Sequence, residues 1–208
     1  NIINNYPNAK NVDINKQDED GRTVFMLAAW KNTDAEVMKY LCDTFKHSAD
    51  INKQDNYGST ALMFAAQNNT NEKMLQYLYN TFKDTIDINM LNHDGNNALM
   101  LAAWNNTNLE VIRYLYNTFK DTIDINKEDK YGNTVLMLAA QHNTNVEVIQ
   151  YLCETFSDVI DINKQNKDGD TAFILAACDN TNVAVIQYLY NTFKDTIDIN
   201  KQNKDGDT

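Results

Sequence analysis

The chain places glycine at positions 21, 58, 95, 132, 169 and 206 and nowhere else, so its glycines repeat every 37 residues. A glycine confined to one phase of a period marks a backbone position that needs φ > 0, not a flexible linker. Asp-Ile-Asn recurs on the same lattice, with its isoleucine at 14, 51, 88, 125, 162 and 199. A period of this size specifies stacked supersecondary units that bury one another's faces, so one array with no single core is expected. The units run 14–50, 51–87, 88–124, 125–161 and 162–198, with a partial unit at 1–13 and the start of a further one at 199–208. No linker or shift of composition separates them.

Each unit predicts two helices. After the glycine, Thr23, Thr60, Asn97, Thr134 and Thr171 can cap a short apolar helix such as Val135-Leu136-Met137-Leu138-Ala139-Ala140, whose paired alanines allow close helix approach. An Asn/Thr-rich break follows. Thr33-Asp34-Ala35-Glu36, Thr107-Asn108-Leu109-Glu110 and Thr144-Asn145-Val146-Glu147 predict capping boxes with Thr as the cap, and Thr70 and Thr181 keep the cap without the Glu. Val111, Ile112, Tyr114, Leu115 and Phe119 then form an amphipathic stripe. The polar Asp-Ile-Asn-Lys-Gln-Asp segment predicts an extended excursion that ends in the glycine turn.

Helix, break, helix and turn-tipped finger together resemble the ankyrin repeat. Its Gly-x-Thr-x-Leu-x-x-Ala-Ala core stands here as Gly58-Ser59-Thr60-Ala61-Leu62-Met63-Phe64-Ala65-Ala66 and in four sister copies. The resemblance implies an all-α ankyrin-repeat solenoid of helix–loop–helix units with β-turn or hairpin fingers. Two departures stand out: the period exceeds the usual ~33 residues, and Met or Ile replaces the family's His at 26, 63, 100, 137 and 174. Losing that His removes a side-chain hydrogen bond between copies and substitutes apolar packing.

Catalytic chemistry is sparse. Cys42 and Cys153 share one phase three periods apart, which with layers ~8–10 Å apart puts them far beyond disulfide reach; packing is expected of both, in a reducing compartment. His47, His93 and His142 occupy three phases, so no metal cluster follows. His142 and Cys178 occupy adjacent phases in neighbouring copies and stand as a remote candidate nucleophile pair. The finger Asn166-Lys167-Asp168-Gly169 mimics a calcium loop, yet the first ligand phase holds Lys16, Lys53, Met90, Lys127 or Lys164. No Walker loop or nucleophile elbow is present. A non-catalytic chain without cofactor or metal is expected.

Net charge of -11 and a pI near 4.6 disfavour phosphate backbones and anionic lipid surfaces, so neither nucleic acid nor membrane insertion is expected. The expected partner is another protein, bound along the concave face that solenoids use. By the resemblance, that face comprises finger residues and two residues after the paired alanines. Trp30, Lys31, Tyr57, Gln67, Asp94, Trp104, Tyr131, Gln141 and His142 are the candidate partner-binding residues. These phases vary between copies, whereas Tyr-Asn-Thr-Phe-Lys-Asp-Thr-Ile-Asp-Ile-Asn recurs verbatim at 79–89, 116–126 and 190–200. Exposed Trp and Tyr carry interface energy, although each Trp could instead cover the next layer's helix. A spacer segment within a longer array, with no specific partner, is the alternative. Lys201–Thr208 repeats Lys164–Thr171 and stops at a helix cap, so the native polypeptide is expected to continue. A cytoplasmic location, delivery into a host cell included, and a monomeric array or part of a longer chain complete the expectations.

Overall fold

The computed structural model describes residues 12–68 and 70–208; most of the partial unit at 1–13 lies outside them. Five helix pairs follow one another. The first helices are α1 (Val24–Lys31), α3 (Ala61–Asn68), α5 (Ala98–Asn105), α7 (Val135–His142) and α9 (Ala172–Asp179). The second helices are α2 (Ala35–Phe45), α4 (Lys73–Phe82), α6 (Leu109–Phe119), α8 (Val146–Thr155) and α10 (Val183–Phe193). First helices stack on first helices and second on second, giving two parallel layers of one solenoid. Among the described residues there is no strand, and no helix is long and apolar enough to cross a membrane.

All six glycines adopt positive φ, from 78° at Gly21 to 88° at Gly169. The turn they close is built from the acid or amide three residues earlier. Asp55 Oδ1 accepts the Tyr57 and Ser59 N–H groups at 2.9 and 2.7 Å, and Gly58 N donates to Asp55 O at 3.0 Å. Successive fingers then join through one backbone bond per joint: Asn56 N to Asp20 O, His93 N to Tyr57 O, Lys130 N to Asp94 O, Lys167 N to Tyr131 O and Lys204 N to Asp168 O, all 2.8–2.9 Å. The finger is therefore a turn stacked on turns, not a hairpin.

The first-helix caps stand as expected. Thr23, Thr60, Asn97, Thr134 and Thr171 accept from the N–H three residues on. The methionines at the family's His position do more than pack: the sulfurs of Met26, Met63 and Met137 accept the Thr23, Thr60 and Thr134 N–H at 3.3–3.5 Å. A buried thioether thus closes the cap that Glu or Gln usually closes.

The second-helix caps correct the sequence reading. Asp34, Asn108, Asn145 and Asn182, not the Thr before them, hold the N-cap position and accept the N–H two residues on. The reason lies in the neighbouring copy. Asn108, Asn145 and Asn182 also donate Nδ2 to the carbonyls of Thr70, Thr107 and Thr144 at 2.6–2.8 Å. In these three copies one amide caps its own helix and fastens the previous layer, whereas Asp34 caps α2 through its carboxylate alone. Two residues earlier, buried Asn143 and its counterpart Asn180 donate to Ala103 and Asn106 O and to Ala140 and Asn143 O.

The core runs the length of the array. Ile14, Ile51, Ile88 and Ile162 plug each finger base, and the alanine pairs of α1, α3, α5 and α7 are buried. Edge-on rings cross three joints: Phe25 on Phe82, Tyr79 on Phe119 and Tyr116 on Phe156, with centroids 5.7, 5.1 and 4.7 Å apart. Cys42 and Cys153 sit in this core as free thiols whose pKa burial pushes up to about 11 and about 12. Cys178 is free and exposed. A neutral-pH maleimide is therefore expected to label the folded chain once, at Cys178. Fast labelling of two or more thiols, counted by intact mass, would contradict the buried placement of Cys42 and Cys153.

Candidate binding face

In the first copy, the finger tip and the end of its own first helix approach each other: the Arg22 guanidinium beside the glycine lies 5.2 Å from the Trp30 ring centroid at the end of α1. Lys31 reaches the same ring at 4.5 Å. Asp18 and Asp20 pair with Arg22 on its finger side. The Asp18 carboxyl is held below its ordinary range, chiefly by the hydrogen bond from the Arg22 N–H.

Both tryptophans reach across a joint. Trp30 is 37% exposed and stacks on Phe64 of α3 at 5.8 Å, tilted 31°. Trp104 is half-buried and meets the His142 imidazole of α7 at 5.3 Å. Each ring covers a side chain of the next layer and keeps solvent-facing surface, so the two sequence alternatives for these rings coexist. Phe64 occupies a phase that holds leucine at 27, 101, 138 and 175. That substitution marks the position, although the stack itself depends on the offset between layers.

The tyrosines stand on the fingers. Tyr57 is 67% exposed and Tyr131 49% exposed, one at each of two alternate finger tips. Lys130 lies 4.8 Å from the Tyr131 ring centroid and pairs with Asp94 of the preceding finger. Hydrogen bonding to Asp94, then to Tyr131, raises the lysine's pKa. Gln67 is half-buried, and its carbonyl accepts from Asn105 at 3.3 Å. Gln141 donates to the Asp179 carboxylate at 2.6 Å. From Trp30 to Asp179 the face is therefore a row of aromatic rings set among short polar links between copies.

His142 and Cys178 do not form an activated pair. Partial burial lowers the His142 pKa against the pull of Asp179. The Cys178 thiol is raised, first by burial and then by Asp179, Asp207 and Asp170, the opposite of what a nucleophilic thiolate needs. Among the described residues no group of three or more His, Cys, Asp or Glu is placed to hold a metal ion.

The model of the ankyrin-repeat family, spanning three copies of the repeat, matches residues 2–90 and again 73–163. None of the curated proteins compared matches the chain.

Proposed function

The chain belongs to the ankyrin-repeat family, whose members are generally protein-interaction modules, and from that premise we propose that it is a non-catalytic array gripping a partner protein on the face described above. The reading is carried by one observation. The chain's two tryptophans and its two finger tyrosines, Trp30, Trp104, Tyr57 and Tyr131, keep exposed ring surface at the phases where copies differ most, while the buried frame repeats. Aromatic rings with both packed and exposed surface are the residues that act as interface anchors. Lys31, Gln67, Asp94, Gln141 and His142 surround them as the polar rim. The free thiols fit a reducing compartment.

Site-specific photo-crosslinking tests this face against the outer one. A benzophenone amino acid at Tyr57 or Tyr131 is expected to yield a discrete partner adduct in the native cell. The same probe at Tyr40, half-exposed on α2, is the control. Adducts from Tyr40 alone would move the interface to the second helices. No adduct from any of the three would favour the spacer.

A further inference from the structure

We propose that the joint between the third and fourth copies is a built-in seam at which the array opens as two blocks, 12–124 and 125–208. The argument compares one set of contacts through successive joints. At the finger base, the Asn15 amide clamps the next segment by donating to Ser48 O and accepting from Asp50 N, both at 2.7 Å. Asn52 clamps Thr85 and Asp87 in the same way, and Asn163 clamps Thr196 and Asp198. Two residues on, Gln17, Gln54 and Gln165 each donate to the glycine carbonyl of their own finger and to the matching carbonyl of the next.

The third-to-fourth joint loses both contacts. Among the described residues Asn89 makes no such clamp, and Leu91 stands where an amide is needed. A hollow of about 280 Å³ lined by Asn89, Leu91, Asn97, Thr122, Asp124 and Lys127 lies there instead. The next joint also lacks the clamp, at Asn126, and the glutamine, and has a hollow of about 310 Å³ beside Val159 and Asp161, but there Glu128 pairs with Lys164 at 2.7 Å.

A third contact, made at the two joints that follow, is also missing here. Asn166 Nδ2 donates to Asn133 Oδ1 at 2.8 Å, and Asn203 Nδ2 donates to Asp170 Oδ1 at 2.9 Å. One period earlier the positions hold Asp129 and Asn96, which share no hydrogen bond: the Asp129 carboxylate is taken up within its own finger by Tyr131 and Asn133. Asn96 is 2% exposed, and its Oδ1 is buried with no hydrogen-bond partner among the described residues. Such an atom is costly and uncommon in a native core. On the opposite edge a polar cleft of about 480 Å³ between α6 and α8 includes Glu110, Arg113, Tyr151 and Glu154, and it is bridged by Arg113 over the Tyr151 ring at 5.3 Å and by the Tyr116–Phe156 stack. The Trp104–His142 contact crosses the joint, so opening there would divide the concave face.

In a uniform array the central joint is the best protected, because opening starts at the ends. The backbone bonds between fingers supply matched reporters, one per joint. Native-state hydrogen exchange on the 208-residue chain is expected to give the Lys130 amide a protection factor at least threefold below those of His93 and Lys167. The double substitution Leu91→Gln with Asp129→Asn, which installs residues that sister copies carry, is expected to raise Lys130 protection at least tenfold. His93 and Lys167 should move less than threefold. Lys130 as the best protected of the three in the parent chain, or an equal change at all three amides in the variant, would overturn the seam.

Discussion

Gly132→Val is expected to destabilise the array by about 2–5 kcal/mol. Left-handed strain contributes ~1–2 kcal/mol, and overpacking of well-filled structure a further ~1–3 kcal/mol. The second contribution is specific to this site. A Cβ on Gly132 would lie 2.9 Å from the backbone nitrogen of Lys167, the atom that donates to Tyr131 O in the finger-to-finger bond. The valine therefore strains its own turn and pushes the next finger away. Gly206 separates the two contributions, since it has φ 87° and nothing within 4 Å of the same position. Gly206→Val should cost no more than about 1–2 kcal/mol, the strain alone. Val135→Ala, which trims a buried α7 residue to what α3, α5 and α9 carry, should cost about 1.5 kcal/mol. Urea melts rank the three. Equal losses at Gly132 and Gly206 would mean that finger stacking contributes nothing to stability.

Trp104→Ala is expected to weaken partner binding by about 2 kcal/mol or more, roughly thirtyfold, as truncating an interface anchor does. Its effect on folding should be smaller, about 1–2 kcal/mol, because the ring is half-buried and touches one imidazole across the joint. Trp30→Ala should behave alike, losing its stack on Phe64. The readout is the affinity of the folded variant for the cross-linked partner, beside its own melt. A stability loss of ~3–5 kcal/mol, the range for a core tryptophan, with affinity intact would assign both rings to packing. Acrylamide should quench the two-tryptophan emission substantially in the free protein, since neither ring is fully enclosed.

The frame was legible because it is written in residues that answer to local rules. A glycine that returns at one phase needs positive φ, and all six have it. Thr before an apolar run caps it, and four of the five first helices begin so, with Asn97 in the same role on α5. Four second-helix caps were misplaced by one residue, because neighbours such as Thr107 and Asn108 are both good caps locally. The choice falls to the Asn108 amide's bond to Thr70, 38 residues away. The cap read at Thr70 is not made, since α4 starts after Glu72 with no side-chain cap bond. Methionine as a cap acceptor was also illegible, since sulfur reaches the N–H only once the core fixes its rotamer. The phases of the candidate face could be read along the chain. The Trp30–Phe64 stack could not, because it depends on the lateral offset between layers that no single copy encodes.

The cross-copy bonds carry a further consequence for how such a chain changes length. Each joint draws on fixed phases, so the bonding partners of a unit are specified by position within the period and not by address in the chain. Excising residues 88–124 would bring Ser59 to the place that Asn96 holds beside Asp129, a hydroxyl donor in place of a mismatched oxygen. It would leave Asn143 facing the Ala66 carbonyl that Asn106 now uses. In-frame recombination between near-identical segments such as 79–89 and 116–126 therefore adds or drops whole layers while the joints re-form, and the array can be lengthened, shortened and reshuffled without inventing a new interface.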